Sequence, residues 1–583
     1  MLEIFVNGIS LDLTPDITFN LVIENPFISN DFIPSPFSLT FTLPPSRKNL
    51  IKLGNPDRVS SNGSFQLHEN CIVRFESIGF SQGTLLVKSF QDNLIQAFYQ
   101  GSLFADNIIN PLSDCPIHQY NFGNGTDAEF PFATSTWKNA YVNLIQASKA
   151  GSEKFVAAPI FIPGMEWPTP DLTVDGHKAL LQSYFNAFNG WANKYTFDTV
   201  LQNDFMHGVI FPQIFIHDII EAVIGNKLVA NIFASGELAN LVAITSYHFN
   251  LFAWPEPFWQ ASYLLQDNTD LNSGPRFMEL KSFLPSTPFN EMLKDLLKLI
   301  CATMYMSGNK YDIQLNKDIL NSTTVENWES IITDNIIISK QSGQPYKYGY
   351  ADFPQQKSLS GYATLSMLTD ILTEPFITAG EIFKIANTGQ FFRKFYNDDG
   401  NPDYEPYDPG FGGSSDLLVN PLDMTVKLSP LKSNIVDYWK DNNGNPIPKR
   451  KWVVPIWEGD RVTRPYKMNI MIWQGLTYGF NMDLYPFLSA HNFDKDNHQL
   501  GNLSLAWDGP YGLINNYHLE YQAWVAKDKT LITAYAKLNA LDLKNLDLKT
   551  KKHVRGKNFF VSTISVTIRR NTIDLAQIDF IEG

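Results

Sequence analysis

Residues 2–13, LEIFVNGISLDL, decide the fold, because they place Asn7-Gly8 between two runs in which apolar residues stand at alternate positions. A type I′ hairpin turn needs positive φ at both central residues, and Asn-Gly adopts that geometry readily. The stretch therefore predicts that the chain opens with a β-hairpin.

Alternating apolar residues continue at 17–23 and 37–43 and return near 71–79. A further pair of runs, 84–91 and 94–100, is joined by Asp92-Asn93, another dipeptide typical of a hairpin turn. The pattern predicts a β-barrel module over residues 1–110.

Composition limits the classes of function. The 583 residues suffice for several domains, and 45 basic against 59 acidic residues give a net charge of −14. This balance argues against a surface that grips nucleic acid, but it allows a surface that DNA slides past. Aromatic residues make up 14% of the chain, which favours β-structure and leaves sugar-binding platforms open as an alternative.

The cysteines Cys71, Cys115 and Cys301 are odd in number and far apart. They predict no disulfide framework and no zinc site, and they favour folding in a reducing cytoplasm. The N-terminus lacks the features of a signal peptide, and no long apolar run predicts a membrane-spanning helix.

Between the terminal regions the pattern is mixed. Residues 111–285 are predicted to form an insertion domain, with loops at 111–135, an irregular Pro-rich segment at 151–175, and three helices. Those helices are Thr136–Ser148, His177–Trp191 and Gln213–Ile224, the last ended by Gly225-Asn226.

Residues 286–450 are predicted to form a central α+β domain. A long amphipathic helix is expected from Pro288 to about Met306, capped by Thr287, with a strand at Tyr311–Leu315 and a short element at Val325–Trp328. Two polar stretches, 395–416 and 441–448, are predicted to be exposed loops.

From residue 451 to 583 the pattern predicts a second β-barrel module. The predicted strands are 467–473, 504–507, 517–527, 531–538 and a C-terminal pair that turns near Asn571. Two near-copies, Leu541–Lys544 and Leu546–Lys549, are interpreted as a connector. The predicted fold class is therefore α+β and β-rich, with β modules at both ends of a mixed centre.

Three clusters of residues could form metal-binding or acid–base sites, and each also has a simpler structural interpretation. His491, Asp494, Asp496 and His498 have the side chains of a divalent-metal site, or form a solvated turn. The acidic segment 398–408 offers Asp398, Asp399, Asp403, Glu405 and Asp408 as calcium ligands, but its spacing is not that of an EF-hand, since Phe395 stands at the first ligand position. His217-Asp218 suggests acid–base chemistry, although a lone histidine on an amphipathic helix is usually structural.

Common catalytic motifs such as a P-loop or His-Glu-x-x-His are absent from the sequence. We therefore predict that the chain is not an enzyme. No catalytic, cofactor-binding or metal site is assigned to any residue, and no cofactor is expected.

Several short segments together resemble a known family. They are Ser35–Pro44 with Asn49, the helix-and-strand stretch from Phe289 to Trp328, Gly509–Leu513, and the two Leu-Asp-Leu-Lys copies. This combination resembles the tail hub proteins of phages that infect Bacteroidetes-type bacteria and, more distantly, the baseplate hub family of long-tailed phages.

The resemblance implies a structural virion protein, assembled in the host cytoplasm, that forms a homotrimer. Each chain would supply two barrels similar to the tail-tube subunit, so that three chains match a six-fold tube above and a three-fold spike or fibre below. Tail-tube and distal tail proteins would be its partners, and DNA would pass through its channel without sequence-specific binding or stable membrane insertion. A glycan-binding receptor protein and, less favoured, a polysaccharide-degrading hydrolase remain the alternatives.

Overall fold

The structure is a computed structural model, and it describes part of the chain. The described residues are 1–28, 32–33, 37–58, 67–101, 108, 110–125, 144, 147–148, 150–158, 160–161, 184–185, 187–188, 191–192, 212–245, 274–307, 310–344, 346–350, 372–375, 382–385, 391–396, 402–406, 422–436, 452–456, 468–478, 484–493, 498–507 and 509–583.

Strands predominate. In the first half of the chain they are β1 (Leu2–Val6), β2 (Ile9–Ser10), β3 (Thr18–Glu24), β4 (Phe37–Ser38), β5 (Phe41–Leu43), β6 (Leu67–Phe75), β7 (Ile78–Gln91), β8 (Leu94–Gly101), β9 (Gln119–Gly125), β10 (Phe155–Val156), β11 (Ile160–Phe161), β12 (Tyr184–Phe185), β13 (Ala187–Phe188), β14 (Trp191–Ala192), β15 (Gln213–Phe215), β16 (Leu241–Thr245) and β17 (Gly274–Glu279). In the second half they are β18 (Ala302–Ser307), β19 (Lys310–Leu315), β20 (Val325–Asn327), β21 (Ile332–Gln341), β22 (Tyr346–Tyr350), β23 (Leu372–Pro375), β24 (Ile382–Ile385), β25 (Phe391–Tyr396), β26 (Pro402–Pro406), β27 (Leu422–Val426), β28 (Lys432–Val436), β29 (Trp452–Ile456), β30 (Met468–Tyr478), β31 (Leu484–Ser489), β32 (Lys529–Ala536), β33 (Lys551–Val554), β34 (Lys557–Arg569) and β35 (Ala576–Glu582).

Among the described residues, helices are fewer than strands and short. The α-helices are α1 (Arg47–Lys52), α2 (Ile216–Ile224), α3 (Phe289–Leu299), α4 (Asn316–Asn321), α5 (Leu519–Val525) and α6 (Ala540–Lys544), and a π-helical turn at Ile514–His518 precedes α5. Short 3₁₀ turns lie at Leu112–Asp114, Gly225–Lys227, Ile232–Ala234, Gly236–Asn240 and Leu280–Phe283.

One 14-stranded sheet joins the two ends of the chain. Its strands follow the order β2-β1-β6-β7-β8-β4-β3-β34-β35-β32-β21, with β5, β20 and β33 attached beside this path. The strands of the N-terminal region thus continue directly into those of the C-terminal region, and two strands from the predicted central domain, β20 and β21, join the C-terminal side. The β-rich fold class is confirmed.

The predicted closure into barrels is wrong for the described residues, in which no sheet closes on itself. The physical reason is that β3 pairs with β34 along seven residue pairs instead of completing a ring with strands of its own region. Because an edge strand is stabilised by any strand that satisfies its free hydrogen-bonding groups, each terminal region covers an edge of the other.

The predicted hairpin turns are confirmed. Asn7 and Gly8 have φ of 48° and 77°, and Asp92 and Asn93 have φ of 53° and 55°. A third turn of the same kind, at Glu76-Ser77, joins β6 to β7 with φ of 52° and 67°. Its residues carry no type I′ signature, so the pattern of the sequence did not indicate it.

The long central helix begins close to the predicted residue but ends earlier. Helix α3 starts at Phe289, with Pro288 rather than Thr287 at the N-cap and no side-chain cap. It ends at Leu299, Cys301 takes a positive φ of 48°, and residues 302–307 form β18, which pairs with the predicted strand β19. The apolar stripe continues past the helix because residues 302–305 at the start of β18 are also buried, so the prediction to Met306 was too long.

Two predicted C-terminal strands are wrong. Residues 504–507 form no strand, and residues 517–527 lie mainly in the π-helical turn and α5. Tyr521 and Val525 are buried four positions apart, which is a helical and not an extended spacing. The strands predicted at 467–473 and 531–538, the C-terminal pair, and the connector at 541–544 are confirmed, the last as α6.

The insertion segment also needs correction. Residues 119–125 form β9 rather than loop, residues 155–156 and 160–161 form strands, and α2 begins at Ile216 because 213–215 form β15. The described residues of the predicted helix 177–191 are strands, since Tyr184–Phe185 pairs with Ile160–Phe161. Most of the predicted helix 136–148, and all of the predicted loop 441–448, lie outside the described residues.

Candidate functional site

The candidate site is the junction between the two terminal regions, where β3 and β34 run antiparallel from Thr18↔Arg569 to Glu24↔Thr563. The backbone N–H of Asn25 extends the pairing by donating to the Ser562 carbonyl at 2.8 Å. Side chains add to it, since the Thr567 hydroxyl donates to the Asn20 amide oxygen at 2.7 Å. The two ends of the chain are therefore held together by a continuous ladder.

Asn25 is the buried polar centre of this junction. Its amide nitrogen donates to the carbonyls of Leu548 at 2.9 Å and Val561 at 2.7 Å. Its amide oxygen accepts from the backbone N–H of Phe27 at 3.1 Å and from the Tyr305 hydroxyl at 3.4 Å. An asparagine amide has two donors and two acceptor positions, so the bonding capacity of this buried side chain is fully used.

An aromatic cluster packs directly beside Asn25. The Phe27 ring lies 5.2 Å from Tyr521, 5.3 Å from Trp524 and 5.0 Å from Phe560, measured between ring centroids. The Tyr521 hydroxyl donates to the Phe27 carbonyl at 2.6 Å. Burial raises the pKa of Tyr521 well above its ordinary value, so the hydroxyl stays protonated and remains a donor.

Helix α3 is tied to the same region through a buried histidine. His518 Nε2 lies 2.9 Å from the Leu299 carbonyl, at the C-terminal end of α3, and the imidazole packs 5.3 Å from the Trp507 ring. Burial lowers the pKa of His518 to about 4. The ring is therefore neutral near pH 7, with its Nε2 proton directed at a helix-terminal carbonyl that lacks a partner within the helix.

A buried lysine ties β20 to β33. Lys552 is buried, and its ammonium group lies 2.6 Å from Glu326 and 5.1 Å from the centroid of the Trp328 ring. The Trp328 indole N–H donates to the same carboxylate at 3.1 Å. Desolvation lowers the pKa of Lys552, and the bond to Glu326 opposes that shift. The carboxylate thus compensates a charge that would be costly to bury alone.

These contacts define what the junction can do. The side chains of Asn25, Tyr521, His518 and Lys552 are engaged in hydrogen bonds or ion pairs with protein groups, and the pKa shifts of the last three come mainly from burial. Such an arrangement holds two structural regions in one orientation and presents no polarised nucleophile among the residues just described. The candidate function of the site is to hold the two terminal regions of the chain together.

The structure describes only part of the predicted cluster at 491–498. His491 is partly buried, its Nδ1 lies 3.4 Å from the Ser504 hydroxyl, and burial lowers its pKa to about 4. His498 is exposed, and Asp494 and Asp496 lie outside the described residues. The described residues therefore test neither interpretation of this cluster, the metal site or the solvated turn.

Only part of the acidic segment 398–408 lies among the described residues. Asp403 and Glu405 lie in β26, where Asp403 pairs with Phe395 of β25, so this part of the predicted loop 395–416 is a hairpin. Asp398, Asp399 and Asp408 lie outside the described residues. Among the residues that the structure describes, no three His, Cys, Asp or Glu side chains form a group that could hold a metal ion.

His217 and Asp218 stand at the start of α2. The Asp218 carboxylate is buried and pairs with the Lys154 ammonium group, and His217 Nδ1 lies 3.7 Å from the other carboxylate oxygen. Burial lowers the pKa of His217. Because a cation already neutralises Asp218, the geometry favours the structural interpretation of this pair.

Sequence reasoning missed Asn25, Tyr521 and Lys552. A polar residue at the end of a predicted strand, followed directly by Pro26, was the available signal for Asn25. Tyr521 was placed in a strand, and nothing in the local pattern marks Lys552 as buried, because its partner Glu326 is far away in the sequence.

The described part of the chain contains no helix long and apolar enough to cross a membrane. Comparison with protein-family models and with curated proteins gives no match.

Two solved structures are similar to the chain at low levels. They are the 43 kDa tail protein of prophage MuSo2 from Shewanella oneidensis and a tail protein from Neisseria meningitidis MC58. Each comparison has a TM-score of 0.29 and 8% sequence identity, and covers 100% of this chain and 98% or 96% of the other chain. Values this low do not establish a shared fold or function.

Proposed function

We propose that the chain is a structural protein of a phage tail, and that it serves as the hub at the end of the tail tube. The observation that carries the proposal is the β3–β34 ladder, which makes one rigid unit from β-structure contributed by both termini. A hub that docks on a tail tube through both terminal regions of its chain needs those regions fixed relative to each other. The short-segment resemblance to tail hub proteins supports the same role.

In this proposal, three copies surround a central channel, with the paired terminal regions facing the tube. The central α+β region and the insertion segment would face the distal spike or fibre. The net charge of −14 favours a channel wall along which duplex DNA passes without adhering, because like charges repel. The protein would act without a cofactor and without catalysis.

The proposal is tested by imaging the purified full-length chain in negative stain, alone and mixed with isolated tail tubes. We expect rings, and particles bound at tube ends. The variant Asn25→Ala should reduce both, because it removes the buried amide that joins the terminal regions, whereas Asn515→Ala, at an exposed helical position, should leave both unchanged.

Compact particles at high concentration that neither form rings nor bind tubes would contradict the proposal. Binding on a glycan array that is lost when exposed aromatic residues are replaced would favour the receptor-binding alternative. Sustained clearing of host envelope material in a zymogram would favour the hydrolase.

A further inference from the structure

The β3–β34 junction lies in a stretch of the large sheet whose two faces differ in polarity. Strands β3, β34, β35 and β32 are neighbours in that order, and one face of them buries apolar side chains such as Phe19, Val566 and Ile578. Alternate side chains stand on the other face. Six of these form two rows across β34, β35 and β32 and are here called the polar face: Thr563, Asp579 and Thr533 in one row, and Ser565, Gln577 and Tyr535 in the next. All six are exposed or half-buried.

The polar face adjoins the junction along one side and the aromatic cluster at one end. Its first row continues onto β3, where Glu24 lies opposite Thr563. Past this row, Phe560 and Ile581 pair with each other and are buried. Phe560 packs there against the ring of Trp524 in α5. The open surface therefore begins where the cover of α5 ends.

Cationic side chains are held away from the polar face, although the surrounding region is basic. Residues 527–583 contain 11 basic against 6 acidic residues, a net charge of +5 in a chain of −14. The four strands themselves contain three cationic residues. Lys529 is buried, and Lys557 and Arg569 are paired with carboxylates at 3.0 and 2.9 Å. None of the three belongs to the two open rows.

The charges that do stand on this surface are negative. The Asp579 carboxylate accepts a hydrogen bond from the Thr533 hydroxyl at 2.7 Å, and Glu24 beside the face is exposed. Hydroxyl, amide and phenol groups supply the other polar side chains. Solvated protein surfaces usually intersperse charges of both signs. The polar face is therefore a hydrophilic surface of neutral to negative charge.

We propose that the polar face lines the channel of the hub and that duplex DNA moves past it. The inference rests on the proposed function, which supplies the channel, and it adds which surface of the chain faces the DNA. Lysine and arginine hold a duplex by neutralising phosphates and releasing counterions, so a surface without them binds DNA weakly. The carboxylates repel the phosphates, which favours movement over adhesion.

Photo-cross-linking in virions tests the placement. Replacing Ser565 or Gln577 by p-benzoylphenylalanine puts a photoreactive group at an exposed position of the polar face. Illumination during DNA release should cross-link the chain to DNA at both positions. The same group at Asn515, an exposed position outside the polar face, is the control and should give no cross-linked DNA.

Added charge tests the mechanism. The double variant Ser565→Lys, Gln577→Lys should slow DNA release from virions by about tenfold at 50 mM salt and by less at 200 mM, because phosphate contacts weaken with salt. Asn515→Lys adds a charge outside the polar face and should leave the rate unchanged. Ser565→Thr, Gln577→Asn keeps the face uncharged and should also leave it unchanged.

The outcomes separate this inference from the proposed function. Virions that contain the chain but cross-link DNA only at Asn515, or cross-link Ser565 and Gln577 to a protein instead, would overturn the inference and leave the hub proposal in place. Equal slowing by Asn515→Lys would also overturn it. Virions that lack the chain would overturn the proposed function and the inference together.

Discussion

The side-chain amide of Asn25 donates to the carbonyl of Val561 at 2.7 Å, across 536 positions of sequence. With its bond to Leu548, this contact holds the end of β3 against the C-terminal region, beside a buried aromatic cluster. A buried amide with every bond satisfied fixes one arrangement of the two regions, because any other arrangement leaves polar groups unpaired.

Replacing Asn25 by alanine should therefore destabilise the junction. Two backbone carbonyls and the Tyr305 hydroxyl would lose a buried partner, at a cost of about 1–3 kcal/mol for each group left unsatisfied. Urea unfolding followed by tryptophan fluorescence should show a lower midpoint, since Trp524 lies in the cluster. Asn515→Ala should shift the midpoint little, and equal shifts in the two variants would refute the role of Asn25.

The protein should lose stability in acid through two histidines, His491 and His518, whose pKa values are lowered in the folded state. The pKa values of His491 and His518 are lowered from 6.5 to about 4, so below pH 6.5 the unfolded chain binds protons that the folded chain does not. The contribution of the two neutral imidazoles to the free energy of unfolding is complete above pH 6.5. It falls between pH 6.5 and 4, by up to about 3 kcal/mol for each imidazole.

Thermal unfolding measured from pH 7.5 to 4.5 checks this prediction. His518→Gln keeps an N–H donor for the Leu299 carbonyl but does not titrate, so its melting temperature should fall less steeply with acid. Its packing cost is measured separately at pH 7.5. An unchanged acid slope would exclude His518 as a source of the effect.

Substitutions in the turn at Glu76-Ser77 should stabilise the protein. Both residues have positive φ, which costs roughly 1 kcal/mol for a residue that is neither Gly nor Asn. The double variant Glu76→Asn, Ser77→Gly should raise the free energy of unfolding by about 1 kcal/mol. Asn93→Val, placing a β-branched residue at φ of 55°, should act in the opposite direction.

The stability of the protein should depend on which partner of the ion pair between Lys552 and Glu326 is removed. Glu326→Gln leaves a buried ammonium group without its counter-charge, and we expect a loss of about 1–3 kcal/mol. Lys552→Met in the Glu326→Gln background should recover part of this loss, because the buried charge is gone. A further loss in the double variant would show that Lys552 stabilises the fold by other contacts.

Local signals explain the elements that the sequence predicted correctly. Asn7-Gly8 and Asp92-Asn93 form their turns because a two-residue hairpin depends on φ preferences that act within the turn itself. In β34 and β35, the alternation of apolar residues in the sequence likewise indicates which face of each strand is buried.

Long-range contacts explain most of the errors. The end of α3 could not be predicted because the following strand is held by distant groups, as when the Met304 N–H donates to the Phe32 carbonyl at 2.9 Å. Tyr521 is helical and buried beside Phe27, and neither its burial nor its partner is visible in residues 517–527. The joining of β3 to β34 belongs to the same class, and it replaced the two predicted barrels by one open sheet.

The most direct test of the central claim is a cryo-EM reconstruction of the tail of a phage that carries this chain. We predict a ring of three copies at the distal end of the tail tube, with the β3–β34 ladder of each copy beside the central channel. Absence of the chain from the virion, or its location in an appendage away from the channel axis, would contradict the account.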